Sequence, residues 1–267
     1  MRHSLALFLL ITLTACGLLS SPEEKTDANT ASVEKLYADA NDEMEGHNYD
    51  KAVTAFETLQ SHYPYGRYAQ QAQLEIAYAY FKQQEPESAL AAADRFIKQY
   101  PNNPHVDYAY YLKGLVNFNE DLGLLGGLVK QDLSDRDPKA ARESFDSFRE
   151  LVTRFPTSQY APDSRLRMQY LVDTLARYEI HVADFYLRRG AYVAALNRAK
   201  DVLVDYPRTQ ATRDALQVMV QAYDAMGMNG LRDDAQRVLN ANSSRGDARP
   251  VAGGSIKEGR RWWQFWK

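Results

Sequence analysis

Small and apolar residues recur at fixed distances before four aromatic–proline pairs, and this pattern predicts helices. The pairs are Tyr63-Pro64, Tyr100-Pro101, Phe155-Pro156 and Tyr206-Pro207. Three columns of residues lie at fixed distances before these prolines. Twelve residues before the prolines are Ala52, Ala89, Ser144 and Ala195, and eight residues before them are Phe56, Ala93, Phe148 and Ala199. Five residues before them are Leu59, Phe96, Leu151 and Val202. Small side chains allow two helices to approach closely, and larger ones fill the space between them. Proline then ends each helix, because it lacks the N–H and disfavours helical geometry in the preceding residue.

The distances between successive prolines, 37, 55 and 51 residues, predict repeat units of unequal length. In the third unit, residues 121–137 are predicted to form a loop between helices near 105–120 and 138–155. Pro138 is well placed as the first residue of the second of these helices, with Asp137 as its cap.

The fourth unit is predicted to contain one long helix from Pro162 to Arg189, which Gly190 ends. Its apolar residues step by four and three positions along one face, and they are Leu171, Leu175, Tyr178, Val182 and Phe185. A last hairpin is predicted over residues 209–241, with its turn at residues 227–230. This hairpin has no aromatic–proline end, as is frequent in terminal repeats.

These units resemble the tetratricopeptide repeat, a helical hairpin of about 34 residues. The resemblance covers residues 33–241, for which we predict an all-α superhelical solenoid of about five hairpins, with ten helices and no strands. No hairpin can bury its apolar face alone, so stacking the hairpins buries a continuous core. We expect the concave face of this rod to bind extended segments or other domains, and not to carry out covalent chemistry.

The start of the chain predicts export and a lipid anchor. Residues 1–15 have a short charged start and then an apolar stretch too short to span a bilayer, which is the layout of a signal peptide. The segment Leu13-Thr14-Ala15-Cys16 resembles the lipobox of bacterial lipoproteins, in which the cysteine is acylated and becomes the mature N-terminus. The alternative is a buried thiol in an uncleaved helix. Residues 16–32 are predicted to form a lipidated flexible tether, because residues 18–32 are polar and contain Ser and Pro.

The lipobox resemblance implies diacylglyceryl and N-acyl chains, such as palmitate, on Cys16, the only cysteine of the chain. Each buried acyl CH₂ contributes roughly 0.8 kcal/mol of membrane affinity, so several chains anchor firmly. Gly17 stands where an aspartate would resemble an inner-membrane retention signal. By analogy with lipoprotein sorting, this favours the outer membrane, on its periplasmic face. We expect no other cofactor.

The C-terminal residues 242–267 are predicted to form a disordered tail, since residues 242–255 are rich in Gly, Ser and Asp. The tail ends in a basic aromatic tip, in which residues 262–267 contain three Trp and one Phe beside Arg260 and Arg261. Such a tip suits a membrane interface. The alternatives are that it folds back onto the solenoid, contacts a protein partner, or has no defined role.

Composition and motifs indicate neither an enzyme nor a metal protein. The net charge of −3 gives a nucleic-acid partner no global electrostatic support. One cysteine excludes an internal disulfide and a cysteine-based zinc site. No two of the five histidines are three or four positions apart, no GxSxG motif occurs, and no GK[ST] follows the glycine-rich residues 123–127.

In the tetratricopeptide register, the first helices of the first two hairpins supply the residues that face the groove. They are Tyr37, Asn41 and Met44, followed by Gln71, Leu74, Tyr78 and Phe81. Aromatic side chains together with amides suit an extended peptide that is rich in aromatic residues. The alternative is that Tyr78 and Phe81 belong to the core between repeats.

Four segments carry a more specific resemblance. They are SHYPYGRYAQQAQLEIAYAYFK (61–82), NPHVDYAYYLKGL (103–115), SDRDP (134–138) and RGAYVAALNR (189–198). With the lipobox and the five hairpins, they resemble the BamD family, the lipoproteins of the outer-membrane β-barrel assembly machinery. The resemblance implies a scaffold that promotes the folding and membrane insertion of barrel proteins.

The same resemblance implies two interaction sites. The N-terminal hairpins would bind unfolded outer-membrane β-barrel precursors, which carry an aromatic-rich C-terminal signal. The residues implied are Tyr37, Asn41, Tyr65, Arg67, Leu74 and Tyr78, and Arg67 could reach the terminal carboxylate of the precursor. The fourth and fifth hairpins would dock on the last periplasmic domain of the barrel subunit BamA through Asn197 and Arg198. Arg198 would form an interfacial ion pair, or it is a solvated surface residue. Other Bam lipoproteins would also attach.

Two other functions stay open at this point. One is a lipid-anchored repeat scaffold for cell-wall or pilus machinery, which recovery of BamA by co-purification would exclude. The other is a periplasmic hydrolase, which would need a carboxylate pair with raised pKa in a pocket.

Overall fold

The computed structural model describes residues 32–122 and 138–243, and within these ranges the chain folds into ten α-helices and no strand. The helices are α1 (Val33–Glu45), α2 (Tyr49–His62), α3 (Arg67–Gln83), α4 (Pro86–Gln99), α5 (Val106–Leu122), α6 (Lys139–Arg154), α7 (Ala161–Arg188), α8 (Tyr192–Asp205), α9 (Ala211–Ala225) and α10 (Asn229–Ser243). The predicted all-α fold of five hairpins is confirmed within these ranges.

The hairpins stack in chain order and form a solenoid. Every helix packs against the helices that precede and follow it in the sequence. The first helices of neighbouring hairpins also touch, as α1 does α3, α3 does α5, and α7 does α9. A continuous core therefore runs between the hairpins, as expected of stacked repeats.

The aromatic–proline pairs end the second helix of each of the first four hairpins, as predicted. In all four cases the backbone N–H of the aromatic residue donates to the carbonyl four residues earlier, as from Tyr63 to Leu59 at 2.8 Å and from Tyr206 to Val202 at 3.0 Å. The aromatic residue itself has left helical geometry, with φ between −126° and −130°. The proline restricts the residue before it in this way.

The three columns read from the sequence form the core of the stack. All twelve residues are at most 1% exposed. The one polar member, Ser144, donates its hydroxyl hydrogen to the carbonyl oxygen of Gly114 at 2.9 Å, so it is buried without an unsatisfied group. The column pattern is thus a correct prediction of burial.

Several details of the predicted helices need correction. Helix α7 spans Ala161–Arg188 instead of residues 162–189, and α10 extends to Ser243, so residues 242 and 243 are helical and not part of the tail. Helix α5 extends to Leu122, so residues 121 and 122 are helical and not part of a loop. Helix α6 begins at Lys139, so Pro138 precedes the helix instead of opening it. In α7, Leu171 is fully buried but Phe185 is 42% exposed, so the apolar stripe of this helix is covered only along part of its length. Gly190, with a φ of 74°, lies just after the C-terminal end of α7.

Several predictions concern residues outside the described ranges. These are the signal peptide, the lipid on Cys16, the tether, Asp137 and the aromatic tip. At the start of the described chain, Ser32 caps α1 by accepting a hydrogen bond from the Lys35 N–H at 3.3 Å. No helix among residues 32–122 and 138–243 combines the length and the apolar character needed to cross a bilayer.

Candidate binding surfaces

The connection between α2 and α3 presents an exposed aromatic side chain. Gly66 adopts a φ of 94°, in the left-handed region that glycine tolerates best. Tyr65, between Pro64 and this glycine, is 90% exposed. Because aromatic residues are enriched in binding interfaces, Tyr65 marks this corner as a candidate contact site.

Arg67 opens α3 beside this corner, where Tyr68 holds its side chain. The guanidinium carbon lies 4.7 Å from the centre of the Tyr68 ring, and Nη2 donates to the Tyr68 hydroxyl at 2.9 Å. The Tyr68 ring lies 5.3 Å from the ring of Tyr37 on α1. Tyr68, which was not among the predicted site residues, thus contacts two residues that were, Arg67 and Tyr37. We call Tyr37, Tyr65, Arg67 and Tyr68 the aromatic corner.

Tyr37 is the member of the aromatic corner that extends into the core. Its half-buried ring lies 5.7 Å from that of Phe56, and its hydroxyl donates to Oε1 of Glu75 at 3.4 Å. Burial, and next the charge of Glu75, raise the pKa of Tyr37. Asn41, one turn further along α1, is half-buried and hydrogen-bonds to Tyr37. The fold therefore brings together two of the predicted precursor-binding residues, Tyr37 and Asn41.

Glu75 is a carboxyl group with no exposed surface in the middle of α3. Burial disfavours its charged form and raises its pKa to about 8, so the fold favours the protonated, neutral form of this group. Among residues 32–122 and 138–243, its Oε2 has no hydrogen-bond partner, and neither has Oε1 of Gln71 one turn earlier. A buried polar site therefore lies beneath the aromatic corner.

Leu74 and Tyr78, the other two residues predicted to contact a precursor, lie in the core. Leu74 is 1% and Tyr78 is 9% exposed, and the Tyr78 ring lies 6.2 Å from that of Phe81. Tyr78 therefore lies in the core between repeats, which was the alternative to a position facing the groove. These two side chains shape the interior of the second hairpin and offer almost no surface to a ligand.

The burial of Glu75 was missed because glutamate is almost always a surface residue. A signal was present in its neighbours. Residues 71–79 are all buried in the structure, and six of them are Ala, Leu, Ile or Tyr, at positions that surround the whole helix. A helix without a polar side must be covered on all sides, and its few polar residues are then buried too.

On the C-terminal hairpins, Arg198 forms an ion pair within the chain. Its Nη1 lies 2.9 Å from Oε2 of Glu179, a carboxylate on α7 that is only 5% exposed. Arg142 of α6 approaches the other oxygen of Glu179 at 3.4 Å. The hydrogen bond to Glu179 raises the pKa of Arg198. Two half-exposed guanidinium groups thus share one buried carboxylate, and the fold connects three helices through it.

Asn197 lies on the outer side of α8, away from this ion pair. It is exposed, and so are Val193, at 64%, and Val204, at 75%. Offsets of four and eleven residues place all three on one helix face. We call Val193, Asn197 and Val204 the outer face of α8. It presents two exposed apolar residues around an amide, a composition suited to contact with another protein.

Among residues 32–122 and 138–243, no group of three or more His, Cys, Asp or Glu residues is arranged to hold a metal ion. The two surfaces described above offer aromatic, amide and guanidinium groups. Such groups can form aromatic, hydrogen-bonding and ionic contacts with another molecule.

Comparisons with known proteins identify similar chains. The sequence model of the YfiO family, described as outer membrane lipoprotein, matches residues 29–238. The outer membrane protein assembly factor BamD of Neisseria meningitidis serogroup A is 43% identical over 257 residues, which cover 96% of each chain. That of Vibrio cholerae is 34% identical and covers 85% of this chain and 92% of its own. Among solved structures, MamA protein is similar over 82% of this chain and 98% of its own, with 15% identity and a TM-score of 0.33.

Proposed function

Because the chain belongs to the YfiO family of outer membrane lipoproteins, we propose that it is a lipid-anchored scaffold for outer membrane protein assembly, and not an enzyme. Similar curated proteins are outer membrane protein assembly factors. In this role the N-terminal hairpins hold unfolded β-barrel precursors and the C-terminal hairpins hold BamA, while other Bam lipoproteins attach alongside. Acyl chains on Cys16 keep the protein at the periplasmic face of the outer membrane.

The single observation that carries the precursor-binding role is the aromatic corner. Tyr65 is freely accessible, and Arg67 is exposed and held in place by Tyr68. An aromatic side chain of the precursor stacks on such tyrosines, and a carboxylate pairs with the guanidinium. Both contacts form without any movement of the buried residues.

We expect the double substitution Tyr65→Ala and Arg67→Ala to weaken precursor binding at least tenfold, or about 1.4 kcal/mol. The measurement is fluorescence anisotropy of a labelled peptide with the C-terminal strand of a β-barrel precursor, added to the mature protein. The matched control is Phe185→Ala, which removes an exposed aromatic side chain from α7 and should leave the affinity unchanged. Equal losses in both variants would argue against the aromatic corner as the site.

The outer face of α8 is the surface we assign to BamA. Charge reversal at Arg198 tests this poorly, because Arg198→Glu would set a carboxylate against the buried Glu179 and destabilise the fold itself. Val204 has no such inner partner, since it is 75% exposed. A substitution there changes the surface alone.

Val204→Asp is therefore expected to weaken binding of the last periplasmic domain of BamA about tenfold, because it introduces a charge into a contact between proteins. Surface plasmon resonance measures the affinity, and thermal unfolding should be unchanged. Val238→Asp on α10, where the valine is 47% exposed, is the control and should bind normally. If Val204→Asp binds BamA as the wild type does, the outer face of α8 is not the docking surface.

A further inference from the structure

The solenoid ends in a groove between α9 and α10, with a volume of about 400 Å³. It belongs to neither of the surfaces described above. Its lining residues are Arg213, Gln217, Val220, Gln221, Gln236, Leu239 and Asn240. We call this the end groove.

The end groove lies on the fifth hairpin at the position that corresponds to the surface of the fourth hairpin on which α9 packs. Gly190 and Gly227 turn the fourth and fifth hairpins with φ of 74° and 69°, and they lie 37 residues apart. The same offset relates the lining of the end groove to residues of the fourth hairpin, which in the order given above are Ala176, Ile180, Ala183, Asp184, Ala199, Val202 and Leu203. Five of these seven are in the buried cluster that contacts Ala211, Ala215 and Val218 of α9. In the described chain, the fourth hairpin has this place filled by α9.

The end groove differs from its counterpart in chemistry. Ala176, Ile180 and Ala199 are replaced by Arg213, Gln217 and Gln236. Within the groove, Gln236 donates to Oδ1 of Asn240 at 2.9 Å. Another alanine-faced helix packed here would offer no hydrogen-bonding groups to the amides of Gln217 and Gln221, and burying them in this way is unfavourable. A suitable occupant must bring hydrogen-bonding groups of its own, together with apolar surface to cover Val220, Leu239 and the glutamine stems.

The chain carries a segment with this chemistry in its tip, residues 262–266, which are Trp-Trp-Gln-Phe-Trp. Each indole ring has a large apolar area and a single N–H donor, which needs an acceptor when buried. The side-chain oxygens of Gln217, Gln221 and Gln236 are such acceptors, whereas Oδ1 of Asn240 already accepts from Gln236 at 2.9 Å. The aromatic rings and the amide groups are therefore complementary.

The tip also lies within reach. Helix α10 ends at Ser243, and residues 244–261 separate it from the tip. A flexible linker of that length has a root-mean-square span of roughly 21–25 Å, while α10, with 15 residues, is about 22 Å long. Leu239 and Asn240 lie in the last turns of α10, next to the start of the linker. Tethering at this distance gives an effective concentration in the millimolar range.

We propose that the aromatic tip, residues 262–266, docks in the end groove of its own chain and caps the solenoid. The tip then takes the place that a further helix takes on each earlier hairpin. This is independent of the function proposed above.

The three tryptophans of the chain are all in the tip, so intrinsic tryptophan fluorescence reports on the tip alone. We would record it for unlipidated mature protein, residues 17–267, in buffer without detergent or lipid. The expected result is emission at shorter wavelength than that of a free peptide of residues 256–267, with weaker quenching by acrylamide. Emission and quenching identical to those of the free peptide would overturn the proposal.

Two variants locate the docking site. Val220→Asp in the end groove should return the emission to that of the free peptide, whereas Val204→Asp on the outer face of α8 should leave it shifted. Because Val220 also contacts the core, the variant Gln217→Arg with Gln221→Arg fills the groove from two exposed positions and should have the same effect without disturbing the fold. Unchanged emission in the double arginine variant would overturn the proposal.

Two further outcomes point to other occupants, and each would overturn the proposal. One is emission that shifts only when vesicles of anionic phospholipid are added, which identifies the tip as a membrane contact. The other is a shift that grows with protein concentration, which identifies docking on a second copy. Emission that is already shifted, and independent of concentration and of vesicles, is the result expected for the cap.

Discussion

Replacing Gly114 with alanine is expected to destabilise the protein by about 2–3 kcal/mol, although alanine is favoured over glycine in a helix by about 1 kcal/mol. A Cβ atom at this position of α5 would lie 2.4 Å from Cε1 of Phe148. Phe148 on α6 has no exposed surface, so its ring has no free space to enter. The helices α5 and α6 would have to separate, which also stretches the hydrogen bond from Ser144 to the Gly114 carbonyl.

The measurement is urea unfolding followed by far-ultraviolet circular dichroism. The matched control is Gly230→Ala in α10, where an added Cβ meets nothing within 4 Å, and this variant should be as stable as the wild type or slightly more so. Adding Phe148→Leu to Gly114→Ala should restore part of the loss, because the two side chains compete for one space. A Gly114→Ala protein as stable as the wild type would show that the helices adjust freely at this contact.

The free energy of unfolding is expected to fall as the pH rises from about 4.5 to about 8, because of the buried carboxyl group of Glu75. Its pKa is about 8 in the fold, against 4.5 as its ordinary value. Between these values the folded protein holds a proton that the unfolded chain has lost. Unfolding therefore releases a proton, and stability decreases by about 1.4 kcal/mol per pH unit. The total loss is on the order of 5 kcal/mol and is complete above the folded pKa.

The groups around Glu75 do not cancel this dependence. Tyr37 on α1 and Tyr108 on α5 interact with it, and burial raises the pKa of both hydroxyl groups, so they keep their protons throughout the range. Glu75→Gln places a neutral amide at the same position. It should remove most of the slope, and at pH 8.5 the variant should be more stable than the wild type by several kcal/mol.

Urea unfolding at pH 5, 6.5 and 8.5 tests this expectation. Glu87→Gln, at an exposed position in the first turn of α4, is the control for removing a carboxylate and should keep the slope of the wild type. The same slope in the wild type and in Glu75→Gln would mean that Glu75 is ionised in the fold, contrary to the expectation from its complete burial.

Prediction from the sequence succeeded where the signal was local. The aromatic–proline pairs ended four helices at the expected residues, since a proline restricts the residue before it wherever it occurs. The three columns of small and apolar residues were all buried, because such residues at fixed spacing form the contacts between helices in stacked hairpins. The start of α6 was missed by one residue, and the end of α5 by two.

For the candidate sites, the sequence placed the predicted residues on particular helices, but it did not indicate which of their side chains are exposed. Tyr65 and Arg67 are exposed, but Leu74 and Tyr78 are buried although they follow the same register on α3. Register places residues on a face of a helix, and it does not tell which part of that face another hairpin covers. Tyr68 was missed because its role depends on the neighbouring Arg67 and on Tyr37 from another helix.

By itself, the sequence determined the helical hairpins, where most of them end, and which residues form their common core, because proline geometry and side-chain size act within a few turns of one helix. Only the tertiary structure decided that Glu75 is neutral and buried, that Arg198 is already paired with Glu179, and that the last hairpin leaves a polar groove. Each of these depends on which helices cover a given side chain. The covering residues come from positions up to tens of residues away, and only the packed fold brings them together.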